Sequence, residues 1–272
     1  MPAIPSERGQ AILAEAVDVY REALGGRLVG AYALGSLAHG GFSPLVSDVD
    51  LGLVLADPPR SSDAATVDAA AAAVRDRGGD LRKRLSVFWG GLQGLREGRS
   101  AGRFPPVDRL DLIDSGRLLA GQDVRPGLAR PDLAELVVGG AEFALDHLGV
   151  DSAVREIRTP RLLLEHGSIH LTKLVLFPVR LLFTAETGRV GTNEAAVTRH
   201  LSVARPVSGE LVRAALAWRT VPPDRSEALA LLSHGMTPLY VAYIQDYVSR
   251  LSALGRGDLA RAFEEWSRRL TR

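Results

Sequence analysis

At 272 residues the chain is long enough for one large domain or two modest ones, and its 46% hydrophobic content supports a buried core. Lys and Arg total 33 and Asp and Glu total 32, so the formal charge of +1 gives no bulk electrostatic reason to expect a nucleic-acid partner or a charged membrane surface. The chain has no cysteine, which excludes disulfides and thiolate metal sites.

The first 125 residues alternate between helical and extended patterns. The predicted elements, in chain order, are a helix over 7–24, strands over 28–34 and 49–55, a helix over 66–77, and strands over 85–89 and 110–113. Residues 96–106 are rich in Gly, Arg and Pro and are predicted to form a long loop. This alternation predicts an α/β domain over residues 1–125.

From about Arg130 the segments become long, rich in Leu and Ala, and helical in period. Helices are predicted over 132–148, 161–186, 193–202, 207–218, 224–232, 237–254 and 258–270. Pro178 should kink the second of them. The sequence therefore predicts an all-α domain over 126–272, joined to the first domain through a tight hinge at RPGLARP, residues 125–131.

The chain shows no membrane or export signal. No uninterrupted apolar run approaches the length that crosses a bilayer. Glu7 and Arg8 precede a helical pattern where a secretory leader would have a basic start and an apolar run. We therefore expect a cytoplasmic protein without a membrane partner.

The stretch LGSLAHGGFSPLVSDVDLGLVL, residues 34–55, carries two aspartates at the start of an apolar strand. Asp48 and Asp50 occupy alternate positions, so they project from one face about 6–7 Å apart along the backbone. Two carboxylates this close repel each other unless a cation compensates them. Mg²⁺ prefers such hard oxygen ligands, so the pair predicts a magnesium site.

Gly35 and Ser36 follow the preceding predicted strand. With no side chain at 35, backbone N–H groups and the Ser36 hydroxyl can approach a phosphate closely. Either motif alone is common in solvated turns. A phosphate cradle and a metal-binding pair on neighbouring strands together favour metal-assisted phosphoryl or nucleotidyl transfer.

These two motifs resemble the signature of the DNA polymerase β-like nucleotidyltransferase superfamily, through LGS at 34–36 and DVDL at 48–51. LFTAETGRVGTNEAAV, residues 182–197, is similar to a passage in the helical domain of streptomycin/spectinomycin-type aminoglycoside adenylyltransferases. The resemblance implies an N-terminal nucleotidyltransferase domain, with a small mixed β-sheet flanked by helices, and a C-terminal helical bundle.

The resemblance also implies roles for residues. Gly35 and Ser36 would hold the nucleotide triphosphate, and Asp48 and Asp50 would act in catalysis by binding Mg²⁺. A substrate hydroxyl would then attack the α-phosphorus with loss of pyrophosphate.

The sequence departs from the family where a third carboxylate, often the general base, is expected. Ser86 stands there, in the stretch RLSVFWG. The nearest substitutes are Asp108, Asp111 and Asp114. Asp111 lies in the predicted strand over 110–113, so we assign it the catalytic role, against the alternative of a solvated strand end.

A second departure is Asn193, where the adenylyltransferases carry a lysine expected to touch phosphates. Arg189 is the candidate replacement for binding the nucleotide. The alternative is an exposed arginine at a helix end.

The sequence leaves three functional hypotheses. The first is a magnesium-dependent adenylyltransferase that moves AMP from ATP to a hydroxyl of a small molecule, with an aminoglycoside-type antibiotic as the first candidate and antibiotic resistance as the outcome. The second is a catalytically impaired nucleotide-binding or regulatory protein on the same fold, favoured by Ser86 and Asn193. The third is a nucleotidyltransferase acting on RNA or protein, although the absence of a basic excess argues against RNA.

Histidines add two weaker candidates. His166 and His170 share one face of a predicted helix beside Glu165, at a spacing that can bind a metal. No Glu follows in an HExxH arrangement, so lining an acceptor site or packing helices are the alternatives. His39 lies in the predicted phosphate loop, where it can bind a nucleotide or remain solvated.

Overall fold

The computed structural model describes residues 5–99, 102–203 and 208–272. The chain divides into two compact units, unit 1 up to Pro131 and unit 2 from Asp132, whereas the sequence placed the boundary at 125/126. Part of the segment expected to be a hinge is attached to unit 1. Ala129 N donates to the Leu95 carbonyl at 3.0 Å, and Arg130 forms an ion pair with Asp114.

Unit 1 contains six α-helices and five strands in its described residues. In chain order they are α1 Pro5–Leu24, β1 Leu28–Ala33, α2 Gly35–His39, β2 Val49–Leu55, α3 Asp63–Arg75, α4 Asp80–Lys83, β3 Leu85–Gly91, α5 Leu92–Arg96, β4 Gly102–Arg103, α6 Pro106–Ser115 and β5 Arg117–Gly121. The strand order is β4-β3-β2-β1-β5. Only β2 and β3 pair in parallel, so the predicted mixed sheet flanked by helices is confirmed.

The two faces of β2 contribute to different cores. Its odd-numbered residues are buried in a core shared with α1 and α3. Val54 belongs to a second core, together with Leu112 of α6. Because alternate strand residues face opposite sides of a sheet, Asp50 lies on the same side as Val54, the side that α6 covers.

The strand predicted over 110–113 is wrong, because these residues lie within helix α6. The alternation in Leu110, Asp111 and Leu112 covers too few residues to distinguish a strand from a helix. Pro106 occupies the first turn of α6 and is the helix-start signal that the prediction overlooked. All three residues of the alternating stretch are buried within unit 1.

Two edge strands were not predicted. β4 falls inside the predicted loop over 96–106, where Arg103 pairs with Trp89 of β3; residues 100–101 of that loop lie outside the described residues. β5 pairs antiparallel with β1, but Arg117 and Leu118 at its start are both exposed. Neither strand is long and alternating enough to produce a sequence signal.

Unit 2 is all-α in its described residues, as predicted. Its helices are α7 Leu133–His147, α8 Asp151–Arg158, α9 Pro160–Glu165, α10 Gly167–Thr187, α11 Asn193–Ser202, α12 Gly209–Ala217, α13 Arg225–Ala253 and α14 Gly257–Thr271. The helix predicted over 207–218 corresponds to α12, and position 207 lies outside the described residues. Pro178 is accommodated inside α10.

The helices of unit 2 differ from the prediction in three ways. α8 was not predicted, because it is short and one of its buried residues is the acidic Glu156. The helix predicted over 161–186 is divided in the structure, where Gly167 adopts a φ of +83°. The helices predicted over 224–232 and 237–254 form the single helix α13, with Pro238 inside it.

In the part of the chain that the structure describes, α10 is the one helix long and apolar enough to cross a membrane by those two criteria. Most of its apolar window is buried inside the structure, among the side chains of the unit 2 core. These are the features of a core helix.

Gly235 lies in the part of α13 where the sequence suggested a break, and it lets a neighbouring helix pack closely. It is buried in the middle of the helix, and an added Cβ would lie 2.9 Å from the Cβ of Leu211 on α12. Glycine therefore lets α12 and α13 approach more closely than any larger residue would allow.

We expect Gly235→Val to lower the free energy of unfolding by about 1–3 kcal/mol, because the branched side chain overpacks the contact with Leu211. His234→Val places the same residue at the adjacent exposed position of α13 and is the matched control. Urea denaturation followed by far-UV circular dichroism measures both variants. Equal losses would contradict this account of Gly235.

Candidate functional site

The end of β1 and the start of β2 bring Gly35 next to Asp50. Leu34 N donates to the Asp50 carbonyl at 3.0 Å, and the chain then enters α2 at Gly35. Asp50 is the second residue of β2 and is half-buried. The antiparallel pairing of β1 with β2 thus places the start of α2 directly against the aspartate strand.

Position 35 has room only for glycine. Its φ of +58° lies in the left-handed region, and an added Cβ would overlap Oδ2 of Asp50. The carboxylate of Asp50 therefore occupies the space where any other residue at 35 would have its side chain. This close approach is the reason for a glycine at the start of α2.

Asp111 reaches the same glycine from α6. Gly35 N donates to Asp111 Oδ2 at 2.7 Å, although the two residues are 76 positions apart in sequence. The Asp111 side chain is buried, and its other oxygen, Oδ1, has no hydrogen-bond partner among the described residues. A buried carboxylate oxygen without a partner is costly and marks a position where a ligand or cation can supply the missing interaction.

The segment carrying Asp48 is fixed by Arg84, which precedes β3. Val49 N donates to the Arg84 carbonyl at 3.0 Å, and Arg84 Nη1 donates to the Ser47 carbonyl at 2.7 Å. Burial lowers the pKa of the Arg84 guanidinium, and the negative charge of Asp48 opposes that shift. Asp48 is half-buried one residue before β2 begins.

Ser86 is the register neighbour of Asp50. In the parallel pairing of β2 with β3, Asp50 lies opposite Ser86, so their side chains share one face of the sheet. Ser86 is half-buried. The face that carries Asp50 therefore has a hydroxyl at this position and a carboxylate arriving from α6.

The other two acidic substitutes differ from Asp111 in environment. Asp114 is exposed, and both of its oxygens accept from the guanidinium of Arg130, at 2.6 and 2.8 Å. Asp108 is half-buried in the first turn of α6. Of the three, Asp111 is the one that contacts Gly35.

The structure thus brings Gly35, Asp50 and Asp111 together, with Ser36 next in α2. His39 ends α2, and its two ring nitrogens are buried without a hydrogen-bond partner among the described residues. In the described residues, one group of three His, Asp or Glu side chains has ligand atoms close enough to share a metal ion; it belongs to unit 2 and does not include these aspartates.

Arg189 belongs to unit 2, and its assignment to nucleotide binding stays a prediction. It is exposed immediately after Gly188, which ends α10 with a φ of +65°. Its backbone N–H donates to Thr187 Oγ1 at 3.3 Å. Asn193 is the first residue of α11 and follows the helix cap Thr192.

Comparison with known proteins yields no matching family model and no matching curated sequence. In structure, the chain is similar to the spectinomycin adenyltransferase AAD(9) from Enterococcus faecialis, solved with ATP and spectinomycin. The TM-score is 0.59 at 12% sequence identity, and the match covers 85% of this chain and 98% of that one. The chain therefore shares its fold with that adenyltransferase.

We expect Gly35→Ala to destabilise the protein more than Gly25→Ala does. The two glycines have similar φ angles, +58° and +52°, but an added Cβ meets Asp50 at position 35 and nothing within 4 Å at position 25. The control should cost about 1–2 kcal/mol for the left-handed backbone alone. Urea denaturation gives both values, and equal losses would show that Asp50 does not fill the space at Gly35.

Proposed function

We propose that this protein binds ATP with Mg²⁺ and transfers AMP to a hydroxyl of a small molecule. The observation that carries the proposal is the convergence of Asp50 and Asp111 on Gly35 at the start of α2. The fold adds support, because a protein of similar structure is named an adenyltransferase and was solved with ATP and spectinomycin. An aminoglycoside-type antibiotic is accordingly the first acceptor to test.

Asp48 and Asp50 are the residues that would hold Mg²⁺. Their carboxylate oxygens are the hard ligands that this ion prefers, and they occupy alternate positions at the start of β2. The buried, unpartnered Oδ1 of Asp111 also fits a site where positive charge compensates several carboxylates. When bound, Mg²⁺ neutralises phosphate charge on the nucleotide.

Ser36 is the proposed phosphate contact of α2. The N–H of Gly35 already donates to Asp111, so it is not the group offered to a phosphate in this arrangement. Gly35 instead contributes by having no side chain, which lets the chain pass close to Asp50. The Ser36 hydroxyl, one residue further into α2, is the nearest side-chain donor on the same segment.

Asp111 is the proposed general base. Its Oδ2 is held by Gly35 N, so the carboxylate is oriented and Oδ1 remains to accept the proton of the acceptor hydroxyl. The deprotonated oxygen then attacks the α-phosphorus of ATP, and pyrophosphate leaves. In this scheme Asp111 supplies from α6 the carboxylate that β3 lacks at Ser86.

The second candidate function is nucleotide binding without turnover. Ser86 favours it, because the residue opposite Asp50 in the parallel pairing has a hydroxyl in place of a carboxylate. The two functions differ in one readout: both predict binding of ATP in the presence of Mg²⁺, but only the transferase releases pyrophosphate when an acceptor is added.

We expect Asp48→Asn and Asp50→Asn each to abolish magnesium-dependent ATP binding and acceptor-dependent pyrophosphate release, because each removes a charged oxygen ligand. Asp114→Asn is the matched control, since Asp114 is paired with Arg130 on the surface. Isothermal titration and a coupled pyrophosphate assay with spectinomycin, streptomycin and related compounds measure the two effects. Unchanged binding and release in both variants would remove the site from consideration.

We expect Asp111→Asn to lower the transfer rate by about 10²–10⁴-fold, the usual contribution of a general base. The thermal stability of the Asp111→Asn protein in EDTA should rise, because the substitution removes an uncompensated buried charge. The asparagine still offers an amide oxygen to accept from Gly35 N. Adding Ser86→Glu to this variant should restore part of the rate, since position 86 shares the sheet face of Asp50. A wild-type rate in Asp111→Asn would show that the base is another group.

A further inference from the structure

Unit 2 contains a compact group of one carboxylate and two imidazoles, formed by Glu156, His166 and His170. Glu156 lies on α8, His166 lies at the junction of α9 and α10, and His170 lies in the first turn of α10. Glu156 Oε1 is 3.1 Å from His166 Nδ1, and Oε2 is 2.6 Å from His170 Nε2. One donor atom from each residue lies within 4.8 Å of the other two.

The sequence pointed to the two histidines but to the wrong acid. Glu165, their neighbour in sequence, is exposed, whereas Glu156 on the preceding helix α8 is the carboxylate that both imidazoles contact. Gly167, with a φ of +83°, separates α9 from α10, so the histidines do not sit on one continuous helix. The group therefore forms where α8 contacts the junction between α9 and α10.

The carboxylate of this group is buried, and its two imidazoles are exposed to solvent. The Glu156 side chain is 8% exposed, while those of His166 and His170 are 51% and 43% exposed. Burial raises the pKa of the Tyr240 phenol, and the negative charge of Glu156 adds to that shift. Glu156 therefore lies at the edge of the aromatic core, with its two partners toward solvent.

A buried carboxylate needs a compensating positive charge. Among the described residues, the ion-pair partners of Glu156 are these two histidines, and neither partner is a Lys or an Arg. A divalent cation held by all three side chains would supply the charge.

The donor set fits a borderline transition-metal ion. Two imidazole nitrogens and one carboxylate oxygen are a ligand combination that binds Zn²⁺, with the fourth position left to water or another ligand. Bonds of about 2.0–2.1 Å in a tetrahedral site place neighbouring donors about 3.3–3.4 Å apart. The three donor atoms, one from each residue, lie within 4.8 Å of one another, so they need to approach by at most about 1.5 Å to reach that spacing.

We propose that Glu156, His166 and His170 bind one Zn²⁺ ion, which fastens α8 to the junction of α9 and α10. The exposed side of the two imidazoles leaves a coordination position open to solvent. This proposal concerns residues of unit 2 alone and stands whether or not the protein transfers AMP.

The test uses the full chain without an affinity tag, stripped with a chelator and dialysed into excess Mg²⁺ so that carboxylate-only sites are saturated. Zn²⁺ is titrated in competition with a chromophoric chelator, and Co²⁺ is added separately to read the ligand field. We expect one equivalent of tight Zn²⁺ binding, a higher melting temperature, and the visible spectrum of tetrahedral Co²⁺.

His166→Ala and His170→Ala should each weaken Zn²⁺ binding by about tenfold or more, because each removes a ligand. Loss of a residue that only hydrogen-bonds a metal ligand already weakens metal binding by about 10- to 100-fold. Both positions are half exposed at the side chain, so these variants are expected to fold. His234→Ala, at an exposed histidine of α13, should keep the full equivalent.

Glu156→Gln removes the charge at nearly constant shape and should also lose the ion. Wild-type protein that binds no Zn²⁺ under these conditions would overturn the proposal in favour of a simple Glu–His hydrogen-bonded group. Equal Zn²⁺ affinity in the wild type and in His170→Ala would overturn it as well. Zn²⁺ binding is measured directly on the protein without nucleotide or acceptor, so failure here is distinguishable from failure of the proposed transferase function.

Discussion

The arrangement of unit 1 depends on the contact of Gly35 with two carboxylates. Asp50 fills the space where a side chain would be, and Asp111 accepts the hydrogen bond of the Gly35 amide. The first contact fixes the crossing from β1 into α2 against β2. The second ties α6 to that crossing, so three segments distant in sequence are held by one residue that has no side chain. Any larger residue at 35 would separate the groups on which the proposed chemistry depends.

The strands that form the centre of the sheet were predictable because they are local. β1, β2 and β3 are short apolar runs bounded by glycine, proline or charged residues, and the limits predicted for β2 agree with the structure. α6 was not predictable in the same way, because its buried face includes Asp111 as well as leucines. β5 is an edge strand with an exposed start, so packing against β1, and not its own pattern, makes it a strand.

The residues of the candidate site also differ in how far the sequence could predict them. Gly35, Ser36, Asp48 and Asp50 lie within one stretch of sequence, so their spacing alone indicated a common site. The contact of Asp111 with Gly35 depends on how α6 packs over the sheet, and the strand assumed for Asp111 was wrong even though the residue itself reaches the site. Glu156 was overlooked for a related reason, since an acidic side chain is normally expected on the exposed face of a helix, whereas this one is buried with Val154 and Ile157.

The Asp50–Asp111 cluster of unit 1 and the Glu156 cluster of unit 2 differ in the atoms that surround their carboxylates. Asp50 and Asp111 contact a backbone glycine, and the ligands near them are oxygens, which suit a hard cation such as Mg²⁺. Glu156 is contacted by imidazole nitrogens, which shift the preference toward Zn²⁺. The atoms around each carboxylate therefore decide which cation each candidate site would prefer.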